Sequence, residues 1–259
     1  MMLNINLRAK RFENGCLAIK DLQFSAWAGE FIAIVGPSGA GKSTLLNLVA
    51  GLDAAFEGDI QWQPPVASTA ACPNKPPQAP RLGYLFQESR LMPWLTVRQN
   101  LTLVCPTLGE AALAQWLDKV GLSGSANLFP GQLSGGMQRR VALLRAFIVE
   151  PELLLMDEPF QSLDAPTAQQ LRALLFELWS QRQPTVLFVT HDLREALSVA
   201  QRILFLSPSP ARIVSEHKVA RRGLCSTDDP QVNADYAALM TQYPQLLQGL
   251  HSPDVAIDR

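Results

Sequence analysis

One run of nine residues has the types and spacing for phosphate chemistry: Gly36-Pro37-Ser38-Gly39-Ala40-Gly41-Lys42-Ser43-Thr44. Its glycines let the backbone curl and aim N–H groups at one point. Lys42 brings a full positive charge to the outer phosphates of a nucleotide. The Ser43 hydroxyl can ligate Mg2+. An apolar run, Phe31 to Val35, precedes the loop and reads as a buried strand; Leu45 to Ala50 follows and reads as a helix. That helix adds a partial positive charge at its start.

Two carboxylates carry the next chemistry. Asp157 and Glu158 follow the apolar run Leu153 to Met156. At a strand tip, Asp157 can hold a magnesium ion directly or through water. Glu158 can orient and deprotonate an attacking water. Two more apolar runs end on polar residues: Leu82 to Phe86 at Gln87, and Thr185 to Thr190 at His191. Gln87 and His191 can hydrogen-bond to metal, water or γ-phosphate without adding repulsion. Phe12 lies ahead of the phosphate loop between two alternating strands, Leu3 to Leu7 and Leu17 to Phe24. It can stack on an adenine ring or plug the core beneath that strand pair, and residue type leaves both open.

Continuous apolar strands alternating with helices place these residues on an α/β fold with a mainly parallel sheet flanked by helices. In such sheets ligands gather beyond the carboxyl ends of the strands. That rule puts Lys42, Gln87, Asp157, Glu158 and His191 on one edge. Helices are expected over Val97 to Val104, Glu110 to Val120, Arg139 to Val149 and Pro166 to Gln181. Further strands are expected over Gly58 to Trp62, Arg202 to Leu206 and Arg212 to Val214. Pro64 to Pro80 holds six prolines and reads as a surface loop or insert. The tail carries a weak helical pattern from Tyr236 to Leu250.

Composition narrows the class. The 259 residues are 47% hydrophobic and 17% charged, as in an ordinary globular protein. Net charge is −1 with no Lys/Arg block, so no nucleic-acid partner is expected. No run approaches the ~20 apolar residues of a bilayer span. Met1 to Lys10 shows no secretion signal. Cys16, Cys72, Cys105 and Cys225 are scattered without metal-ligand spacing, which fits reduced thiols in the cytosol.

From about Leu3 to Ile213 the chain resembles the ATPase subunits of ABC transporters. Gly36 to Ser43 matches the Walker A loop, and Leu153 to Glu158 matches Walker B with its catalytic glutamate. Gln87 matches the Q-loop glutamine, Ser162-Leu163-Asp164 the D-loop, and His191 the switch histidine. Leu133-Ser134-Gly135-Gly136-Met137-Gln138 matches the signature motif, which other P-loop ATPases lack. The resemblance implies a P-loop NTPase core with an antiparallel β subdomain and a helical subdomain at about 88–150. It implies a nucleotide-binding domain over 1–220 and a partly helical tail over 221–259. ATP and Mg2+ are the implied cofactors, with Gly36 to Thr44, Ser134, Gly135, Gly136 and Gln138 on the nucleotide. Ser43, Gln87 and Asp157 would face the metal. Phe12 would stack on adenine, where the family usually carries Tyr.

The family also implies partners. Two such subunits close head to tail, so Ser134-Gly135-Gly136 of one caps the γ-phosphate held by Lys42 of the other. The pair docks on membrane permease subunits, is served by an extracytoplasmic solute-binding protein, and lies at the cytoplasmic face of the inner membrane. Phe86-Gln87-Glu88, Leu91-Met92-Pro93-Trp94, Val97 and Asn100 are similar to importers of the nitrate/sulfonate/taurine type, as are Thr185 to Asp192 with Glu195-Ala196, and Leu206-Ser207 ahead of Arg212-Ile213-Val214. Thiamine-precursor importers share much of this pattern. The departures are the Pro64 to Pro80 insert, a short helical region between Leu103 and Gln132, and Gln201 in place of the usual acid before Arg202. A soluble non-transport ABC ATPase is the alternative, but such proteins usually carry tandem domains, coiled-coil inserts or basic surfaces. Trp94 is expected to meet the permease.

Overall fold

The computed structural model describes residues 2–63, 80–220, 225–245 and 247. Its elements run β1 (Leu3–Arg11), β2 (Leu17–Ala26), β3 (Phe31–Val35), α1 (Lys42–Val49), β4 (Glu57–Trp62) and β5 (Leu82–Leu85). Then come α2 (Val97–Thr102), α3 (Glu110–Lys119), α4 (Gly135–Phe147), β6 (Leu153–Asp157), α5 (Ala165–Arg182) and β7 (Thr185–Thr190). The chain closes with α6 (Leu193–Val199), β8 (Arg202–Leu206), β9 (Ile213–Lys218) and α7 (Pro230–Gln242). Two compact units form, one from Met1–Pro80 with Thr185–Arg259, the other from Arg81–Pro184.

The first unit holds two sheets. β2-β1-β4 is antiparallel, and alternation buries Leu3, Ile5 and Leu7 on one face of β1. β1 continues past Leu7 to Arg11 because Lys10 is itself buried: its Nζ reaches Asp53 Oδ2 at 2.6 Å and Ala55 O at 2.8 Å. The second sheet runs β7-β3-β8-β9, parallel except for the antiparallel edge strand β9. Every residue of β3 and β7 is buried, as expected of a parallel strand covered on both faces. Phe31 meets Phe188 edge to face, with ring centroids 6.3 Å apart. Gln201 accepts a hydrogen bond from Phe31 N, and Arg202 takes its acid from Glu30 instead, through Nε at 2.7 Å and Nη2 at 3.0 Å. α6 packs on β3 and β7, and α7 packs on α6.

The second unit pairs β5 and β6 in parallel and packs α4 on β5, α2 on α4 and α4 on α5. Its core is the wholly buried β6 with Val141 to Leu144 of α4 and Leu171, Leu175 and Leu178 of α5. α2 stops at Thr102, short of the expected Val104; Leu103 and Val104 are exposed, so no burial extends the helix toward Pro106. α4 starts at Gly135, four residues before Arg139, because Ser134 caps it. α7 starts at Asp229–Pro230 rather than Tyr236, on an Asp cap with proline at the first position. Residues 64–79 of the proline-rich insert, and 246 and 248–250 of the expected tail helix, lie outside the described residues.

Candidate functional site

The phosphate loop leaves β3 at Gly36 and enters α1 at Lys42. Gly39 and Gly41 have φ of 75° and 92°, the left-handed region where a Cβ is strained. At Gly41 a Cβ would also sit 3.2 Å from Ala18 O. No side chain caps the first turn of α1, whose cap residue is Gly41. Lys42 is 5% exposed, and its Nζ donates to Gly36 O at 2.9 Å and Pro37 O at 3.0 Å. The ammonium is thus held by two carbonyls of its own loop, at the start of α1. A cradle of this chemistry suits the outer phosphates of ATP. Ser43 follows Lys42 on the first turn. In the same sheet Val35 pairs with Thr190, so His191 leaves β7 beside the start of the phosphate loop. His191 and Asp192 are exposed.

The second unit assembles the other strand-tip residues. Leu85 pairs with Met156, so the chain reaches Gln87 beside the point where β6 ends at Asp157. The Gln87 amide donates to Gln161 Oε1. Asp157 is 7% exposed. Burial first, and then the Asp157 charge, push the Tyr84 phenol above its ordinary value. Glu158 sits at φ 44°, a left-handed conformation that costs a non-glycine residue about 1 kcal/mol or more. The turn it opens at the exit of the buried strand is closed by Gln161 N, which donates to Glu158 O at 3.1 Å.

Ser134, Gly135 and Gly136 open α4. The Ser134 hydroxyl accepts from Met137 N at 3.3 Å. A Cβ at Gly135 would meet nothing within 4 Å, whereas one at Gly136 would come 3.2 Å from Thr167 Cγ2. Gln138 is tied back into its own unit: its amide donates to Pro130 O at 3.0 Å and Leu133 O at 3.3 Å. It therefore shapes the loop that leads into the signature turn. Phe12 is 44% exposed on the turn after β1, with Lys10 Nζ 5.7 Å from its ring centroid. That exposure excludes the core-plug alternative.

A loop after Gln87 presents Trp94 at 70% exposure, while Leu91 is buried. Beside it runs a groove of about 350 Å³, lined by Tyr84, Phe86, Arg90, Met92, Leu103 and Val104 among others. Arg90 lies over the Phe86 ring at 4.3 Å.

Sequence reasoning gave no structural role to several residues that hold these groups. Arg139 is 7% exposed and donates to Phe86 O at 3.0 Å, fixing the carbonyl just before Gln87. Burial lowers its pKa from the ordinary arginine value, with the Glu88 charge opposing. Arg145 does the same for Ser89 O and Arg90 O. Both follow the signature motif on α4, but nothing in helix periodicity tells a clamp from a solvated arginine. Asn100, fully buried, bonds around the Trp94 loop.

The family model for ABC transporters matches residues 19–161. An aliphatic sulfonates import ATP-binding protein of Burkholderia lata, SsuB 2, is 38% identical over 247 residues, covering 95% of this chain and 87% of the relative. The protein of the same description from Bacillus licheniformis, SsuB, is 40% identical over 222 residues, covering 82% and 83%. Among solved structures, the ATP-binding cassette MJ0796, described as dimeric in a post-hydrolysis state bound to ADP and Pi, aligns at TM-score 0.69 and 30% identity. It covers 86% of this chain and 100% of that one. Among the described residues no helix is long and apolar enough to cross a membrane. With a phosphate cradle on one unit and a Walker B strand tip with a signature turn on the other, the chain belongs to the ABC transporter family, as an ATP-binding subunit that hydrolyses ATP.

Proposed function

We propose that this ATPase drives import of an aliphatic sulfonate. The observation that carries the solute is the likeness, over most of both chains, to proteins described as aliphatic sulfonate importers. Taurine, itself a sulfonate, falls in the same chemical class; nitrate and thiamine precursors do not. In this reading the chain works at the cytoplasmic face of the membrane, as a homodimer docked on permease subunits that an extracytoplasmic binding protein supplies.

The catalytic reading follows from the residues. Lys42 and the backbone N–H groups of the Gly36 to Thr44 loop, Pro37 excepted, hold the β- and γ-phosphates, and Phe12 stacks on the base. Ser43, Asp157 and Gln87 would hold Mg2+, which neutralises developing charge on the phosphates when bound. A buried carboxylate at a strand tip and a hydroxyl on the phosphate-loop helix are the hard oxygen donors that ion takes. Glu158 orients water and receives its proton, and His191 hydrogen-bonds to the γ-phosphate. Ser134, Gly135 and Gly136 cap the γ-phosphate of the second subunit. Gln138 supports that turn from behind. The helical subdomain, at about 88–150, carries the signature turn and Trp94, and the groove beside the Trp94 loop, where that subdomain meets β5, takes a short cytoplasmic helix of the permease.

Growth tests the solute. The parent organism without this chain is expected to lose growth on an aliphatic sulfonate as sole sulfur source and to keep growth on sulfate. Equal growth on both overturns the sulfonate assignment and leaves the ATPase chemistry standing.

A further inference from the structure

We infer that Thr190 and Glu195 form a clasp that sets the position of His191, which makes both of them positioning residues for hydrolysis. The inference rests on the proposed role of His191 at the γ-phosphate.

Thr190 is the last residue of β7 and is 1% exposed. Its hydroxyl is used in both directions: it donates to Glu195 Oε2 at 2.8 Å and accepts from Asp192 N at 3.0 Å. Asp192 Oδ1 in turn accepts from Arg194 N at 2.8 Å, and Asp192 O accepts from Ala196 N at 3.1 Å. Glu195 is held from its other end, where Ser198 Oγ donates to its backbone carbonyl at 2.7 Å. His191 is therefore an exposed residue whose chain neighbours on both sides are pinned through one buried hydroxyl. The anchor beneath is paired and buried. β7 lies in register with β3 up to Val35–Thr190, and Leu193, Ala196 and Leu197 of α6 are buried.

The Asp192 side chain caps α6 through Arg194 N, and the Thr190 hydroxyl relays the amide of that cap residue to Glu195 at the third helical position. What the relay adds is a fixed exit direction for the chain at His191. Removing the hydroxyl leaves the Asp192 N–H and the Glu195 carboxylate without that bond, and the turn regains freedom. A misplacement of about 1 Å in such a group costs on the order of a hundredfold in rate.

The test compares Thr190→Val, Thr190→Ser and Glu195→Ala in the full chain, beside His191→Ala. Thr190→Val and Glu195→Ala are expected to lower kcat at least tenfold, with KM for ATP and the melting temperature little changed. Thr190→Ser keeps the hydroxyl and is expected to restore most of the rate. Imidazole resonances give a second readout, because the chain has three histidines. The His191 signal should shift or broaden in Thr190→Val while that of His217 stays in place. If Thr190→Val fails to fold, Glu195→Ala on the helix decides. Impaired His191→Ala beside parent-like Thr190→Val and Glu195→Ala overturns the clasp alone. So does a rate loss that leaves the His191 resonance unmoved. Parent-like hydrolysis by His191→Ala overturns the role of the histidine, and the clasp falls with it.

Discussion

Met92 and Asn100 exchange two hydrogen bonds: Met92 N donates to Asn100 Oδ1 at 2.8 Å, and Asn100 Nδ2 donates to Met92 O at 3.2 Å. The same amide nitrogen reaches Leu95 O and Thr96 O, each at 3.0 Å. One buried side chain thus satisfies the backbone around Pro93 and Trp94, and the loop holds its form without burying its tryptophan. Asn100→Ala leaves Met92 N and several carbonyls without these partners. The expected loss is about 2–3 kcal/mol of stability, read as a lower midpoint in urea unfolding. An unchanged midpoint would mean the loop is held by something else.

Trp94→Ala is expected to behave oppositely. The side chain is mostly exposed, so the melting temperature and ATP binding should stay where they are. Capture of the chain by its membrane permease should weaken by about 2 kcal/mol, the cost of losing a hot-spot aromatic. A variant that melts early yet still pulls down the permease at full strength would make Trp94 a packing residue.

Lys42→Ala removes the cation from the phosphate cradle. A charge-assisted contact is worth about 1.5–3 kcal/mol, so nucleotide affinity should fall at least tenfold in equilibrium titration. Affinity equal to the parent would take Lys42 out of the site.

Glu158→Gln keeps the shape of the side chain and removes the base. Hydrolysis is expected to collapse while ATP still binds, and an ATP-bound dimer should accumulate on size exclusion. Turnover at the parent rate would contradict the assignment.

The acid limb of stability should carry the mark of Asp53. The hydrogen bond from Lys10, followed by that from Ala55 N, holds its carboxyl below the usual range. A depressed folded-state pKa gives stability that is complete above the unfolded value of about 3.9 and is lost as pH falls through the folded value. Asp53→Asn should therefore be less stable than the parent at pH 7 and lose less on going from pH 5 to pH 3, by chemical denaturation. Parallel acid limbs for the two proteins would rule the pair out as a source of that slope.

The sequence was most legible where one force acted alone. Thr185–Thr190 and Arg202–Leu206 carry the bounds their patterns predict, because strands buried in a parallel sheet are written as unbroken apolar runs. The phosphate-loop and signature segments stood out for another reason: fixed residue types at fixed spacing mark a family motif, whatever the periodicity of the core. Periodicity failed where polar residues do structural work. It began α1 at Leu45 because Lys42-Ser43-Thr44 form a helical turn with no apolar side chain. It ended β1 at Leu7 because a lysine buried against an aspartate looks, in a sequence, like a solvated one. The Thr190–Glu195 bond was invisible for the same reason, since it needs a turn that only the folded chain supplies.

The open space beside Gly135 bears on inheritance as well as chemistry. In the head-to-tail dimer proposed above, the chain that grips a nucleotide is not the chain that covers it. A defect at Gly135 is then felt at the partner's nucleotide, while a defect at Lys42 is felt at the chain's own. A cell making equal amounts of intact and damaged chains would keep only about a quarter of its dimers with both sites whole, and about half with one. Two chains damaged in different motifs, each inactive with its own kind, would together rebuild one complete site, since both lesions then fall on the same nucleotide and spare the other.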